Sequence, residues 1–245
     1  MVIQSVSVVQ SPNNESVRAT GLDHSSNERE TVADSFPRLS DALTRAMTSR
    51  DGLTQQHSLR VQHIAVALAR EAGVTDCLTL EAIDGAALLH DIGKLGIPDL
   101  VLQKPGPLTP DECDRVKQHV IIGADILSAA AFPSRLALIV RHHHENWDGT
   151  GYPDGLRGQA IPVGARVLAI VDCYDALTSD RPYRRALAHG AAVAMIHERR
   201  GRMYDPEIAD AFLRVVQGLR SASAREGAGR PQTRASAPLL LARAL

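Results

Sequence analysis

The sequence predicts an all-α bundle carrying one long loop rich in Gly and Pro, on three observations. Aromatic residues are 3% of the 245, so Ala, Leu, Ile and Val must fill the core, a composition suited to closely packed helices and not to a sandwich of β-branched and aromatic side chains. Apolar residues recur at helical spacing from residue 39 to residue 217. No segment alternates as a central strand would.

Each element has its own signal. Leu39, Ala42, Leu43, Ala46 and Met47 mark a first amphipathic helix; Val61, Ile64, Ala65, Leu68, Ala69 and Ala72 mark a second, ended by Gly73. A third runs from about Leu80 through Ile83 and Ala87 to the region of Gly93. At Thr109-Pro110-Asp111-Glu112 a threonine can cap, a proline suits the first helical position and a glutamate can close a capping box. A fourth helix is expected to continue from there through Val116, Val120, Gly123 and Leu127. Further helices are expected over 134–144, 164–178, 189–200 and 206–217, separated at 148–163 by the long loop. Residues 1–38 are rich in Ser, Asn, Glu and Thr without sustained periodicity and are expected to form a weakly ordered arm. Residues 39–219 form one domain, and 220–245 a flexible basic tail.

The 27 basic and 28 acidic residues leave a formal charge of -1, so nothing in the charge selects a nucleic-acid polymer or an anionic membrane as partner. No run approaches the roughly 18 apolar residues that span a bilayer, and the N-terminus lacks the basic start and long apolar run of a signal peptide, so a soluble cytoplasmic chain without membrane insertion is expected. Cys77, Cys113 and Cys173 are too scattered for a disulfide framework or a thiolate zinc site.

Seven of the ten histidines fall between His57 and His144, most of them where a core-facing residue belongs. His57 lies one turn before Val61 on the same stripe, His119 three after Val116, and His143 three after Val140. His90-Asp91 ends the apolar run Ala86-Ala87-Leu88-Leu89. Buried imidazoles and carboxylates are costly unless paired or metal-bound, and several converging on one core point to metal. Asp172 and Asp175 share a helix face with Leu168 and Val171, so one carboxylate can ligate while the other orients a ligand from behind. Imidazole and carboxylate donors without thiolate suit Mn, Fe, Co, Ni or Zn.

Six stretches, HSLRV (57–61), LLHDIGKLGIPD (88–99), KPGPLTPDE (104–112), KQHVIIG (117–123), HHHENWDGTGYPDGL (142–156) and VDCYDALTSDRPYR (171–184), together resemble the HD-GYP domain, a branch of the HD superfamily of metal-dependent phosphohydrolases with a Gly-Tyr-Pro loop. The resemblance covers residues 40 to 217. It implies a cytoplasmic bacterial phosphodiesterase that hydrolyses the second messenger cyclic di-GMP to pGpG or GMP. It implies metal ligation by His57, His90, Asp91, His119, His143, His144 and Asp172, with Asp91 bridging two divalent transition-metal ions, Fe or Mn first among them. Lys94 and Asp91 are the implied catalytic residues; Arg181, Arg184, Tyr152 and Asp175 are assigned to the substrate, and the Gly-Tyr-Pro loop offers a surface for a protein partner. Where some family members carry a glutamate that supports a third metal, this sequence has Leu53, which implies a two-metal centre. Two alternatives stay open: hydrolysis of another cyclic dinucleotide or nucleotide, and a non-catalytic module that binds a dinucleotide or a partner.

Overall fold

Among the described residues there are ten α-helices: α1 (Val32–Arg50), α2 (Thr54–Glu71), α3 (Cys77–Leu89), α4 (Asp99–Leu102), α5 (Pro110–Lys117), α6 (His119–Ala129), α7 (Ser134–His142), α8 (Val163–Thr178), α9 (His189–Glu198) and α10 (Pro206–Glu226). The structure, a computed structural model, describes residues 32–50, 54–180 and 185–226. Among these there is no strand, only an isolated bridge between Arg200 and Tyr204, so the all-α expectation holds. Leu53 and the segments 1–31 and 227–245 lie outside the described residues.

Helix α2 is the axis of the packing. Its Val61, Ala65, Leu68 and Ala69 are fully buried and face α3, α8 and α10, while α7 rests on α3, α6 and α8. Ala82, Ala86 and Ala87 of α3 are also buried; with only a methyl group each, they let neighbouring backbones approach closely. Larger side chains such as Leu127, Leu136 and Phe212 fill the remaining space, each contributing roughly 1.5–3 kcal/mol by burial.

The predicted capping box is present: the Thr109 hydroxyl accepts from the Glu112 amide at 3.3 Å, and the Glu112 carboxylate accepts from the Thr109 amide at 2.7 Å. The single fourth helix expected beyond it is corrected to two, α5 and α6, with Gln118 between them. α5 buries no residue, whereas α6 buries His119, Val120, Gly123, Ala124 and Leu127; a break lets the apolar helix turn its face to the core independently of the polar one. The third helix stops at Leu89, and the chain enters a 3-10 turn over Ile92–Gly96. α1 starts ahead of residue 39 and α10 runs past residue 219; at the latter end Ala, Arg and Glu, all good helix formers, continue to the glycine at 227.

Gly93 sets the seam between that 3-10 turn and α6. A Cβ there would lie 1.8 Å from the His119 carbonyl oxygen and 2.5 Å from the Gly123 nitrogen. The two backbones therefore touch directly, which brings the segment after α3 beside the start of α6.

Candidate metal centre

Five of the seven residues expected as ligands lie at helix ends or follow them directly. His90 caps α3 and Asp91 follows it; His119 opens α6; His143 caps α7 and His144 follows. His57 comes from the first turns of α2, and Asp172 from within α8. The last turns of a helix leave carbonyl oxygens without an intrahelical donor, and these fix the rings: His90 Nδ1 donates to Ala87 O at 3.0 Å, His119 Nδ1 to Val116 O at 2.7 Å and His143 Nδ1 to Val140 O at 2.7 Å. A carbonyl can only accept, so in the neutral ring each Nδ1 holds the proton and each Nε2 presents a lone pair. Nε2 of His119 and of His143 is buried with no hydrogen-bond partner. An unsatisfied buried acceptor costs about 1–3 kcal/mol, and a cation in front of it removes that cost. The donor set fits a hard-to-borderline divalent cation.

The ligand atoms form two groups. His119, His143 and His144 make one, and His57, His90 and Asp172 the other, with the atoms of each group within 4.8 Å of one another. Asp91 lies between them: Oδ2 is 3.6 Å from His90 Nε2, and Oδ1 is 3.7 Å from His119 Nε2. Lys94 Nζ donates to Asp91 Oδ2 at 2.7 Å, and His57 Nε2 is 3.3 Å from Asp172 Oδ1. All seven residues are thus brought to one place.

Burial disfavours charge throughout the centre, and neighbours decide the outcome. It pushes the His144 ring down to about 4 and His143 well below the ordinary histidine range, helped there by the neighbouring rings. His119 is lowered for the same reason. At His57 burial also opposes the charge, yet the carboxylates of Asp172 and Asp175 outweigh it and raise the ring to about 9. Burial opposes ionisation of Asp91 as well, and the Lys94 ammonium with the His90 and His119 rings holds its carboxyl well below the usual range. One group therefore offers neutral rings, and the other a carboxylate and a ring that exchanges its proton for a cation.

Asp175 is buried behind His57. Its Oδ2 is 2.7 Å from His57 Nδ1, and Arg60 holds both of its oxygens. Tyr152 packs its ring on His144, centroids 5.0 Å apart, and Lys117 Nζ stands 5.9 Å from the Tyr152 ring centre. His142 joins neither group and reaches Asp154 at 2.9 Å. Arg181 and Arg184 lie outside the described residues.

Residues that sequence reasoning passed over hold the loop in place. Asp154 takes two hydrogen bonds from Arg141, each 2.8 Å, and its amide donates to the buried Glu145 carboxylate at 2.8 Å. Gly151 crosses so close to the Glu145 backbone that a Cβ would lie 2.5 Å from its Cα. Replacing Asp154 by Ala is expected to free this loop and, because it also strips the buried His142 Nε2 of its partner, to cost about 1–3 kcal/mol of stability. The chain's one tryptophan, Trp147, sits at the base of the loop, so its quenching by acrylamide should rise in the variant. Unchanged quenching and unchanged hydrogen exchange over 148–158 would show that the Arg141 contact does not anchor the loop.

A profile of the HD domain matches residues 32–208. The chain is 43% identical over 209 residues to a cyclic di-GMP phosphodiesterase response regulator of Xanthomonas campestris pv. campestris, covering 82% of this chain and 53% of that one. It is 35% identical over 178 residues to a 3'3'-cGAMP-specific phosphodiesterase of Vibrio cholerae, covering 73% and 38%. The chain thus spans about half or less of the length of these curated relatives. The fold resembles the crystal structure of a cyclic GMP-AMP specific phosphodiesterase of V. cholerae, with a TM-score of 0.60 and 19% identity over 78% of this chain and 50% of that chain.

Proposed function

The chain belongs to the HD domain family, and from that premise we propose that it is a metal-dependent phosphodiesterase that hydrolyses cyclic di-GMP to pGpG, GMP or both. The observation that carries this reading is Asp91 between two groups of ligand atoms, each of which suits one cation. We assign two divalent cations to the centre, Fe or Mn, held by His57, His90 and Asp172 on one side and His119, His143 and His144 on the other, with Asp91 shared. Such cations supply charge neutralisation at phosphoryl oxygens and activation of water at neutral pH.

The chain's own residues do the rest. Asp91 keeps its charge because Lys94 and the histidines stabilise it. Lys94, partly exposed, keeps an ammonium at the edge of the centre, suited to meeting a phosphate oxygen as well as Asp91. The Tyr152 ring walls one side of the centre and gives a base a face to stack on. We assign Arg181 and Arg184 to the substrate phosphates, where a planar guanidinium gives paired donors. The proposed substrate is an intracellular messenger, which locates the activity in the cytoplasm.

The greater identity to a relative named for cyclic di-GMP, 43% against 35%, favours that substrate over 3'3'-cGAMP. The deciding experiment is turnover of cyclic di-GMP, 3'3'-cGAMP and cyclic di-AMP by the purified chain loaded with Mn or Fe. Faster hydrolysis of cyclic di-GMP supports the reading. Preference for another cyclic dinucleotide replaces the substrate, and binding without turnover replaces the enzyme by a receptor.

A further inference from the structure

The four rings His57, His90, His119 and His143 are not held alike. Three of them donate Nδ1 to a backbone carbonyl, which is fixed and uncharged. His57 alone is backed by a carboxylate, Asp175 Oδ2 at 2.7 Å. That carboxylate is itself gripped by Arg60, with Nε 2.5 Å from Oδ1 and Nη2 2.9 Å from Oδ2. Arg60 Nη2 also reaches Ser179 Oγ at 2.9 Å.

The register of these residues matters. Arg60 follows His57 by three on α2, and Asp175 follows Asp172 by three on α8. Residues three apart lie on one helix face, so a bidentate ion pair ties α2 to α8 one turn from the place where the same two helices bring His57 and Asp172 within 3.3 Å of each other. A fork of two parallel bonds fixes rotation as well as distance. The guanidinium also balances the charge of Asp175, whose Oδ2 accepts from Ser179 Oγ at 3.3 Å as well. None of this reaches the other group, whose histidines come from α6 and the end of α7.

We propose that Arg60 is a positioning residue for the His57, His90 and Asp172 site alone, and that through Asp175 it makes the two cation sites of the centre unequal. The proposal rests on the reading that both groups bind a divalent cation. Its arginine side chain is 45% exposed, so truncating it opens no hole in the core.

The test is calorimetric titration of the metal-free full chain with Mn(II), for wild type, Arg60→Ala, Arg60→Lys and Arg214→Ala. Arg214 pairs with Glu71 at the far end of α2, so its loss controls for loosening that helix. Wild type is expected to take up two ions. Arg60→Ala should weaken one site by about 10–100-fold, the effect typical of removing a partner behind a ligand, and leave the other within about twofold. Arg60→Lys should recover part of the loss, since an ammonium holds a carboxylate without the fork, and it serves as the folded substitute if circular dichroism shows that the alanine variant does not fold. Arg214→Ala should bind as wild type. Equal weakening of both sites, or two wild-type sites in both Arg60 variants, overturns the inference while the metal reading stands. A wild-type chain that binds fewer than two ions overturns the two-site reading, and the inference with it.

Discussion

Asp91→Ala is expected to abolish the proposed hydrolysis of cyclic di-GMP and to remove most bound metal, while leaving the helical circular dichroism at the wild-type level. Among the described residues, Asp91 is the one carboxylate within 3.7 Å of imidazole nitrogens from both groups, so its loss takes a ligand from each side at once. It also removes the carboxylate that the Lys94 ammonium meets at 2.7 Å, so the balance of charge beside the centre becomes more positive, which disfavours a divalent cation. Together these predict a fall in turnover of at least about a thousandfold, the upper range seen when one group aimed at developing charge is removed. The polar partners of this side chain are the Lys94 ammonium and the His90 and His119 rings, and the helices are expected to stay folded without it. Asp91→Asn separates the two contributions: it keeps the shape and loses the charge, and should bind metal less well than wild type but better than Ala. Elemental analysis and turnover measured on the same preparations check both. An alanine variant that retains wild-type hydrolysis removes Asp91 from the centre.

Much of this was legible because it is written in local pattern. The apolar stripe of α2, the Thr109 capping box and the start of α8 each depend on residues within a few positions of one another, and each stands where the spacing puts it. The histidines were legible for a related reason: an imidazole on an apolar stripe is out of place unless something pairs with it. The break at Gln118 and the 3-10 turn after His90-Asp91 were not, because helix-compatible residues continue through Gln118 and through His90-Asp91 and only the tertiary fit decides where the helix stops. Arg60 was hidden differently. Its partner Asp175 is 115 residues away, and an exposed arginine on a helix usually has none. The available signal was the repeated spacing of three, His57 to Arg60 and Asp172 to Asp175, which placed a charge behind a ligand on each of two helices. Asp154 carried no such mark, since an aspartate in a Gly- and Pro-rich loop is ordinary turn chemistry.

Gly93→Ala is expected to be the most damaging single methyl group added anywhere along the seam at α6. The new Cβ would meet the His119 carbonyl oxygen at 1.8 Å, its carbon at 2.7 Å and the Gly123 nitrogen at 2.5 Å. These are backbone atoms within a helix and cannot rotate away as a side chain can. To reach ordinary contact near 3.5 Å the turn has to retreat by on the order of 1.5 Å, and it carries Asp91 with it, away from His119. Overpacking of this kind costs typically 1–3 kcal/mol and sometimes more, and for a domain of this size each kcal/mol lowers Tm by roughly 2–4 °C. A fall of roughly 5–10 °C is therefore expected in the metal-free chain. The fall should be larger with Mn(II) present, because separating Asp91 from His119 weakens the cation binding that stabilises the wild type. Two other glycines calibrate the experiment. At Gly123 an added Cβ meets the Val140 methyl at 3.1 Å and the Gly93 nitrogen at 3.2 Å, contacts that small shifts relieve, so Gly123→Ala should cost less. At Gly190 nothing lies within 4 Å, and Gly190→Ala should be neutral or slightly stabilising. Thermal unfolding of the three variants with and without Mn(II) gives the order directly. If Gly93→Ala melts with wild type and gains as much from Mn(II), the direct backbone contact between the 3-10 turn and α6 is not what holds Asp91 at the centre.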